Sequence, residues 1–161
     1  MKYHKGDLFE YIKTHEGPFI IPHIVNNIGA WGSGFVVPLG KNFPEAKEYY
    51  LQWANLHGTI GNMLGNSQLV KVGNVYVWNM CAQDGIMSHS TGDRSKVNDK
   101  PIRYAALVKC MQDLNTAKVD IGAEIVCPKF GSDRAGGNWD FIEELIEEIW
   151  EPYFDVTVCE V

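Results

Sequence analysis

Two glycine-rich segments are the parts of this sequence best suited to chemistry. The first, Asn26-Asn27-Ile28-Gly29-Ala30-Trp31-Gly32-Ser33-Gly34, follows a mostly apolar run; the second, Gly131-Ser132-Asp133-Arg134-Ala135-Gly136-Gly137, precedes a strongly amphipathic one. Glycine at these spacings lets the backbone take positive φ and come close to an anion, and the N-terminus of a following helix presents free N–H groups carrying a partial positive charge. Two such loops suit two linked phosphates. Either loop alone is explained equally well as a tight strand-to-helix turn, but the pair is harder to account for in that way. Two familiar phosphate motifs do not fit. Gly40-Lys41-Asn42 lacks the upstream glycine and the Ser or Thr of a P-loop, and Gly32-Ser33-Gly34 lacks the third glycine of a dinucleotide-binding fingerprint.

The elements that must position these loops alternate between strand and helix. Residues 3–6 read as a short strand and 8–14 as a short helix. Residues 19–25 form an apolar run suited to a buried strand, in which Pro22 removes a ladder donor and implies a bulge or an edge. A helix is expected from Phe35, with Pro38 tolerated in its first turn, and another over 44–56, with Ala46, Tyr49, Tyr50 and Trp53 on its apolar side. Residues 67–72 and 75–81 read as a hairpin turning at Gly73-Asn74. Residues 83–100 are polar and read as a long surface loop of the kind that often serves function. Then come a helix over 101–117, a strand over 124–130, a helix over 139–150 and a strand over 155–161. The helix over 139–150 is the clearest element. Ile142, Leu145, Ile146, Ile149 and Trp150 form its apolar stripe, four glutamates its wet face, and Asn138 its N-cap. The order implies an α/β fold, a mixed sheet with helices on both faces, and such folds bind ligands at the carboxyl ends of their strands.

Composition narrows the partners. The chain has 161 residues and is 45% hydrophobic, enough for one buried core and short for two domains, so a single domain over 1–161 is expected. Against 20 acidic residues there are only 14 basic ones, scattered along the chain, which argues against a nucleic-acid partner. Cys81, Cys110, Cys127 and Cys159 lie far apart without ligand spacing and read as buried thiols in a reducing cytoplasm; no metal and no cofactor is expected. There is no apolar run long enough to span a membrane.

The motifs resemble those of a known family. Lys5-Gly6-Asp7-Leu8-Phe9 is similar to the signature that opens macrodomains, Val25-Asn26-Asn27 through Gly32-Ser33-Gly34-Phe35-Val36 to their first phosphate loop, and Pro128-Lys129-Phe130-Gly131 through Trp139 to their second. His23, Asn26, Gly29, Trp31, Gly32 and Gly34 together resemble the branch that holds cellular ADP-ribose 1''-phosphate phosphatases and the terminal ADP-ribose protein glycohydrolase type. Pro101-Ile102-Arg103-Tyr104 resembles a segment met in small phage and bacterial members. The resemblance implies a three-layer α/β/α macrodomain with a mixed sheet of about six strands.

Carried over position by position, the resemblance makes Asp7 the acceptor for an adenine amine, with the Leu8 N–H beside it. The alternative for Asp7 is an ordinary first-turn aspartate. Asn26 and Asn27 would lie beside the distal ribose, or simply serve turn chemistry. Backbone N–H groups of Ser33, Gly34, Phe35 and Val36, and of Ser132, Asp133, Arg134 and Ala135, would hold the diphosphate, with Gly32, Gly131 and Gly136 letting the chain approach. Trp31 and Phe130 would wall the ribose or distal site. His23 matches a histidine proposed to act in the phosphatase branch, and strand alternation puts His23, Val25 and Asn27 on one face. An imidazole suits proton transfer to a leaving oxygen or from water; the plain alternative is a half-buried histidine bonded to a carbonyl. Asp133 is the second catalytic candidate, and Arg134 a partner for a terminal phosphate. In the glycohydrolase type a lysine attacks the sugar and a second-loop aspartate assists. Here that aspartate's position is Ala135, and the candidate lysines are Lys96 and Lys100.

Three functions follow as expectations. The first is hydrolysis of ADP-ribose 1''-phosphate, the second removal of ADP-ribose from a modified protein or nucleic acid, and the third non-catalytic holding of ADP-ribose or an NAD-derived signal. The expected partner is thus a small ADP-ribose derivative or an ADP-ribosylated macromolecule, with no membrane and no sequence-specific nucleic acid.

Overall fold

The computed structural model describes residues 1–57, 62–87, 99–133 and 135–161. Six strands, β1 (Lys2–Lys5), β2 (Phe19–Asn26), β3 (Ser67–Val72), β4 (Val75–Gln83), β5 (Glu124–Cys127) and β6 (Val156–Glu160), form one sheet in the order β1-β6-β5-β2-β4-β3. Every neighbouring pair is parallel except the β3–β4 hairpin. The helices are α1 (Leu8–Thr14), α2 (Val36–Asn42), α3 (Pro44–His57), α4 (Tyr104–Leu114) and α5 (Trp139–Ile149).

Strand alternation builds two cores. Ile20, Trp78, Met80, Ile125 and Val158 pack under α4 and α5 through Leu107, Met111, Leu114, Ile142, Ile146 and Trp150. Phe19, Ile21, Val25, Val77, Cys81 and Val126 pack on the other face against Leu8, Phe9, Leu39, Ala46 and Tyr50 of α1, α2 and α3. The expected three-layer arrangement with a mixed six-stranded sheet is therefore present. All four cysteines are buried and free, and no helix among the described residues is long and apolar enough to cross a membrane.

Several boundaries differ from expectation for physical reasons. Pro22 marks neither an edge nor a bulge. It lies in a central strand, beyond Phe19 and Ile20 where the ladder to β5 ends, and the register shift comes later, between Val25 and Asn26. Residues 101–103 are extended rather than helical. The Ile102 N–H donates to Ala135 O at 3.0 Å, the Arg103 N–H to Ala82 O at 2.8 Å, and Pro101 O accepts from the Asp84 N–H at 2.8 Å, so long-range bonds hold this segment before α4 begins. β5 stops at Cys127 because Pro128 supplies no ladder donor. The start of the expected surface loop is not on the surface: β4 runs on to Gln83, and Gly85 and Ile86 are buried. Residues 88–98, the rest of that loop up to Asp99 and including Lys96, lie outside the described residues.

Candidate functional site

The carboxyl ends of β2, β4 and β5 open into a cleft of about 860 Å³, a size suited to a small organic ligand. One wall is the first glycine-rich loop, with Trp31, Gly32, Ser33, Gly34, Phe35 and Val36 on the cleft; the other is the second, through Phe130, Gly131, Asp133 and Ala135.

Asn26 shapes the first loop. Its Oδ1 accepts from the N–H groups of Ile28 (3.1 Å) and Ala30 (3.0 Å) and from the Tyr50 hydroxyl (2.9 Å), and its Nδ2 donates to Ala30 O at 2.8 Å. Gly29 and Gly34 supply the left-handed conformations, φ +78° and +84°. Asn27 ties the loop to the end of β4, donating to Asp84 Oδ1 at 3.0 Å and accepting from the Gly85 N–H at 2.9 Å. At the end of β2 consecutive residues line the cleft, Asn26 with His23, Ile24 and Val25, whereas Asn27, beyond the strand, turns to Asp84; the extra residue of the register shift is Ala82 of β4. The loop then enters α2 without a side-chain cap; the Val37 N–H turns back to Gly34 O at 3.1 Å, and the N–H groups ahead of it are those that a helix start offers to an anion.

The second loop closes on itself. Gly131 O accepts from the Gly137 N–H at 2.7 Å and Asp133 O from the Gly136 N–H at 3.1 Å, while the Ser132 hydroxyl donates to Lys129 O at 2.7 Å. Gly131 sits at φ +78°, with three isoleucine side chains within 3.0 Å of where a Cβ would stand. Phe130 is buried edge-on to Trp139, 5.9 Å between centroids, and α5 follows with Asn138 accepting from the Phe141 N–H. Ser132 and Gly136 brace the loop from outside the lining, Asp133 is exposed at its lip, and Arg134 lies outside the described residues.

His23 lies in the floor. It is 2% exposed, its ring edge-on to Trp31 (centroids 5.5 Å apart, interplanar angle 87°) and 5.9 Å from Phe35. Its Nε2 bonds Asn79 Oδ1, and its Nδ1 is buried without a partner. Burial pushes the imidazole down to about 4, against an opposing pull from the Asn79 bond. The ring is therefore uncharged at neutral pH, an acceptor at one nitrogen rather than an acid.

Asp7 and Leu8 do not line the cleft. Asp7 is the N-cap of α1, accepting from the Glu10 N–H at 3.1 Å, and Leu8 is buried in the core. Phe9 of the same helix stacks on Phe35, 5.7 Å and 16° apart, so α1 supports the first loop from behind. The sequence reading missed Lys47 and Leu51 of α3 and Ile86 and Met87 after β4, all of which line the cleft. It also missed Asn79, whose signal was a polar residue inside the apolar run of 75–81. Among the described residues no cluster of His, Cys, Asp or Glu fits a metal ion.

No protein-family model matches the chain. It is similar to a solved protein of unknown function from Bacteroides thetaiotaomicron, at 34% identity and a TM-score of 0.83, covering 99% of this chain and 97% of that one. A macrodomain protein from Streptomyces coelicolor is 27% identical with a TM-score of 0.77, covering 99% and 98%. Over 169 residues the chain is 24% identical to the ADP-ribose 1''-phosphate phosphatase of Lodderomyces elongisporus, spanning 99% of each. With the sheet order, the paired glycine loops and these relatives in agreement, the chain belongs to the macrodomain family.

Proposed function

We propose that this macrodomain binds ADP-ribose and hydrolyses ADP-ribose 1''-phosphate to ADP-ribose and phosphate. The observation that carries the reading is the cleft itself: two glycine loops face each other across it, and a buried, uncharged histidine with one unpartnered nitrogen lies in its floor. The loops hold the diphosphate by backbone N–H groups, and Trp31 flanks the distal ribose. Water attacks phosphorus as the bond from phosphorus to the anomeric oxygen breaks. His23 Nδ1 takes the water's proton and passes it to the departing oxygen. The name of the Lodderomyces relative supports the same reaction. Removal of ADP-ribose from macromolecules by an attacking lysine is less favoured, because Ala135 stands where that chemistry places an aspartate.

The test has two parts. In calorimetry ADP-ribose should bind more tightly than ADP or AMP; equal affinity for AMP removes the distal half of the site. In turnover, His23→Ala should lower phosphate release on the order of 10²–10⁴-fold while ADP-ribose affinity survives. An unchanged rate makes His23 a packing residue and Asp133 the next candidate. A parent protein that binds ADP-ribose and releases no phosphate is a holder of the nucleotide.

A further inference from the structure

His23 belongs to a row of three buried or half-buried polar side chains that runs across three strands. In the β2–β4 register His23 lies opposite Asn79, and in the β3–β4 register Asn79 lies opposite Gln68. Side chains paired across neighbouring strands share a face and stand within contact distance, and these three are bonded in sequence. Asn79 Nδ2 donates to Gln68 Oε1 at 3.0 Å and, at 3.4 Å, to Ala46 O of α3. Gln68 Nε2 donates to Tyr49 O at 3.0 Å.

The two backbone carbonyls decide the direction of every bond in the row, because a carbonyl oxygen can only accept. Tyr49 O requires an N–H, so Gln68 turns its amide nitrogen to α3 and its oxygen to Asn79. That oxygen and Ala46 O both require N–H, so Asn79 turns its Nδ2 to them and its Oδ1 to His23. An oxygen facing Nε2 requires the ring proton to be there. Asn79 is wholly buried, so turning its amide over would set its oxygen against Ala46 O with no water to relieve the clash, whereas the Gln68–Tyr49 end of the row is open to solvent.

We infer that Gln68 and Asn79 are positioning residues that lock His23 in the Nε2–H form, leaving Nδ1 as the nitrogen that accepts a proton in catalysis. The catalytic half of this inference rests on the proposed phosphatase reading; the tautomer does not. Asn79 Oδ1 also faces the nitrogen that shares the positive charge while Nδ1 holds the water's proton, and so stabilises that transient cation. The groups packed on the ring, Trp31, Phe35 and Asn79, carry no charge. Of the titratable groups behind them, Tyr50 and Cys81 are held neutral by burial, and Lys47 lines the same cleft from α3.

Nitrogen-15 NMR of the unmodified protein tests the lock without a variant. Above pH 6 the His23 Nε2 should show the shift and one-bond coupling of a protonated nitrogen and Nδ1 those of a bare one; the opposite pattern, or an averaged pair, overturns the inference. Asn79→Asp keeps the shape and the acceptor but adds charge, so it should raise the acid limb of the kcat profile toward neutral pH. Asn79→Leu should lower kcat on the order of 100-fold by freeing the ring while leaving the ADP-ribose Kd within about threefold. A folded Asn79→Leu protein with parental kcat, or an acid limb unmoved in Asn79→Asp, overturns the catalytic half. A parent that binds ADP-ribose without turnover overturns that half through the phosphatase reading itself, and the NMR result still decides the lock.

Discussion

A methyl group placed on Gly40 would lie 2.9 Å from the indole nitrogen of Trp31. Gly40 is inside α2, where glycine is ordinarily unfavourable, and its missing side chain is what lets the indole nitrogen of Trp31 approach the helix beside His23. Gly40→Ala on an unobstructed helix would stabilise by about 0.5–1 kcal/mol. Here the gain should vanish and ADP-ribose affinity should fall several-fold, because the indole must move into the cleft. Thermal melts beside calorimetry read both effects. A higher melting temperature with intact affinity would mean that Trp31 has no set position.

Gly32 is the opposite case: a Cβ built there meets nothing within 4 Å, and no positive φ is required. Gly32→Glu should therefore fold normally, with a melting temperature close to that of the parent, and should lose ADP-ribose binding because a carboxylate enters the anion cradle. Gly32→Ala should bind nearly as well as the parent. Retained binding by the glutamate variant would move the phosphate site away from the first loop.

What was legible in the sequence had local causes. The spacing of Ile142, Leu145 and Ile146 with the Asn138 cap marked α5 because burial against one face has the helical period. The hairpin at Gly73-Asn74 was visible because Gly73 must take φ +61°. What was hidden had distant causes. Pro101 looked like a helix start, yet the following N–H groups bond to Ala135 and Ala82. No residue signal shows that Asn26 rather than Asn27 lines the cleft, because Asn27 is drawn away by its bonds to Asp84 and Gly85 after β4. The row from Gln68 to His23 depends on the registers of β2, β3 and β4 together, which no window along the chain contains.

Lys47 bears on which ligand the cleft prefers. Two cations among the described residues line it: Lys129 is paired with Glu160 at 2.9 Å, whereas Lys47 forms no ion pair with a described residue. Lys47 stands on the α3 wall of the cleft, on the side of Gly40 and Trp31, so a ligand whose distal ribose lies against Trp31 carries its terminal phosphate toward Lys47. Lys47→Gln should raise KM for ADP-ribose 1''-phosphate about two- to fivefold, the scale of an exposed charge pair, and leave ADP-ribose affinity unchanged. The difference should shrink at high salt. Equal losses for both ligands would assign Lys47 to the diphosphate or to packing.

His23 also ties the stability of the fold to pH. Its folded value, about 4, lies below the ordinary value of 6.5 because the ring is buried. Between these two values the unfolded chain binds a proton that the folded chain refuses, so the protein gains stability as pH rises and loses it as pH falls. The contribution is complete above 6.5, fades below it and is gone near 4. A gap of this size corresponds to about 3 kcal/mol. Carboxylates elsewhere titrate over part of the same window, so the informative quantity is a difference between proteins. The parent should lose melting temperature steeply from pH 7 to 4.5, and His23→Gln, which cannot take up a proton, should start lower and fall less. Parallel curves for the two proteins would mean that the ring is protonated with equal ease in the folded and unfolded chains, and the uncharged base in the cleft floor would go with it.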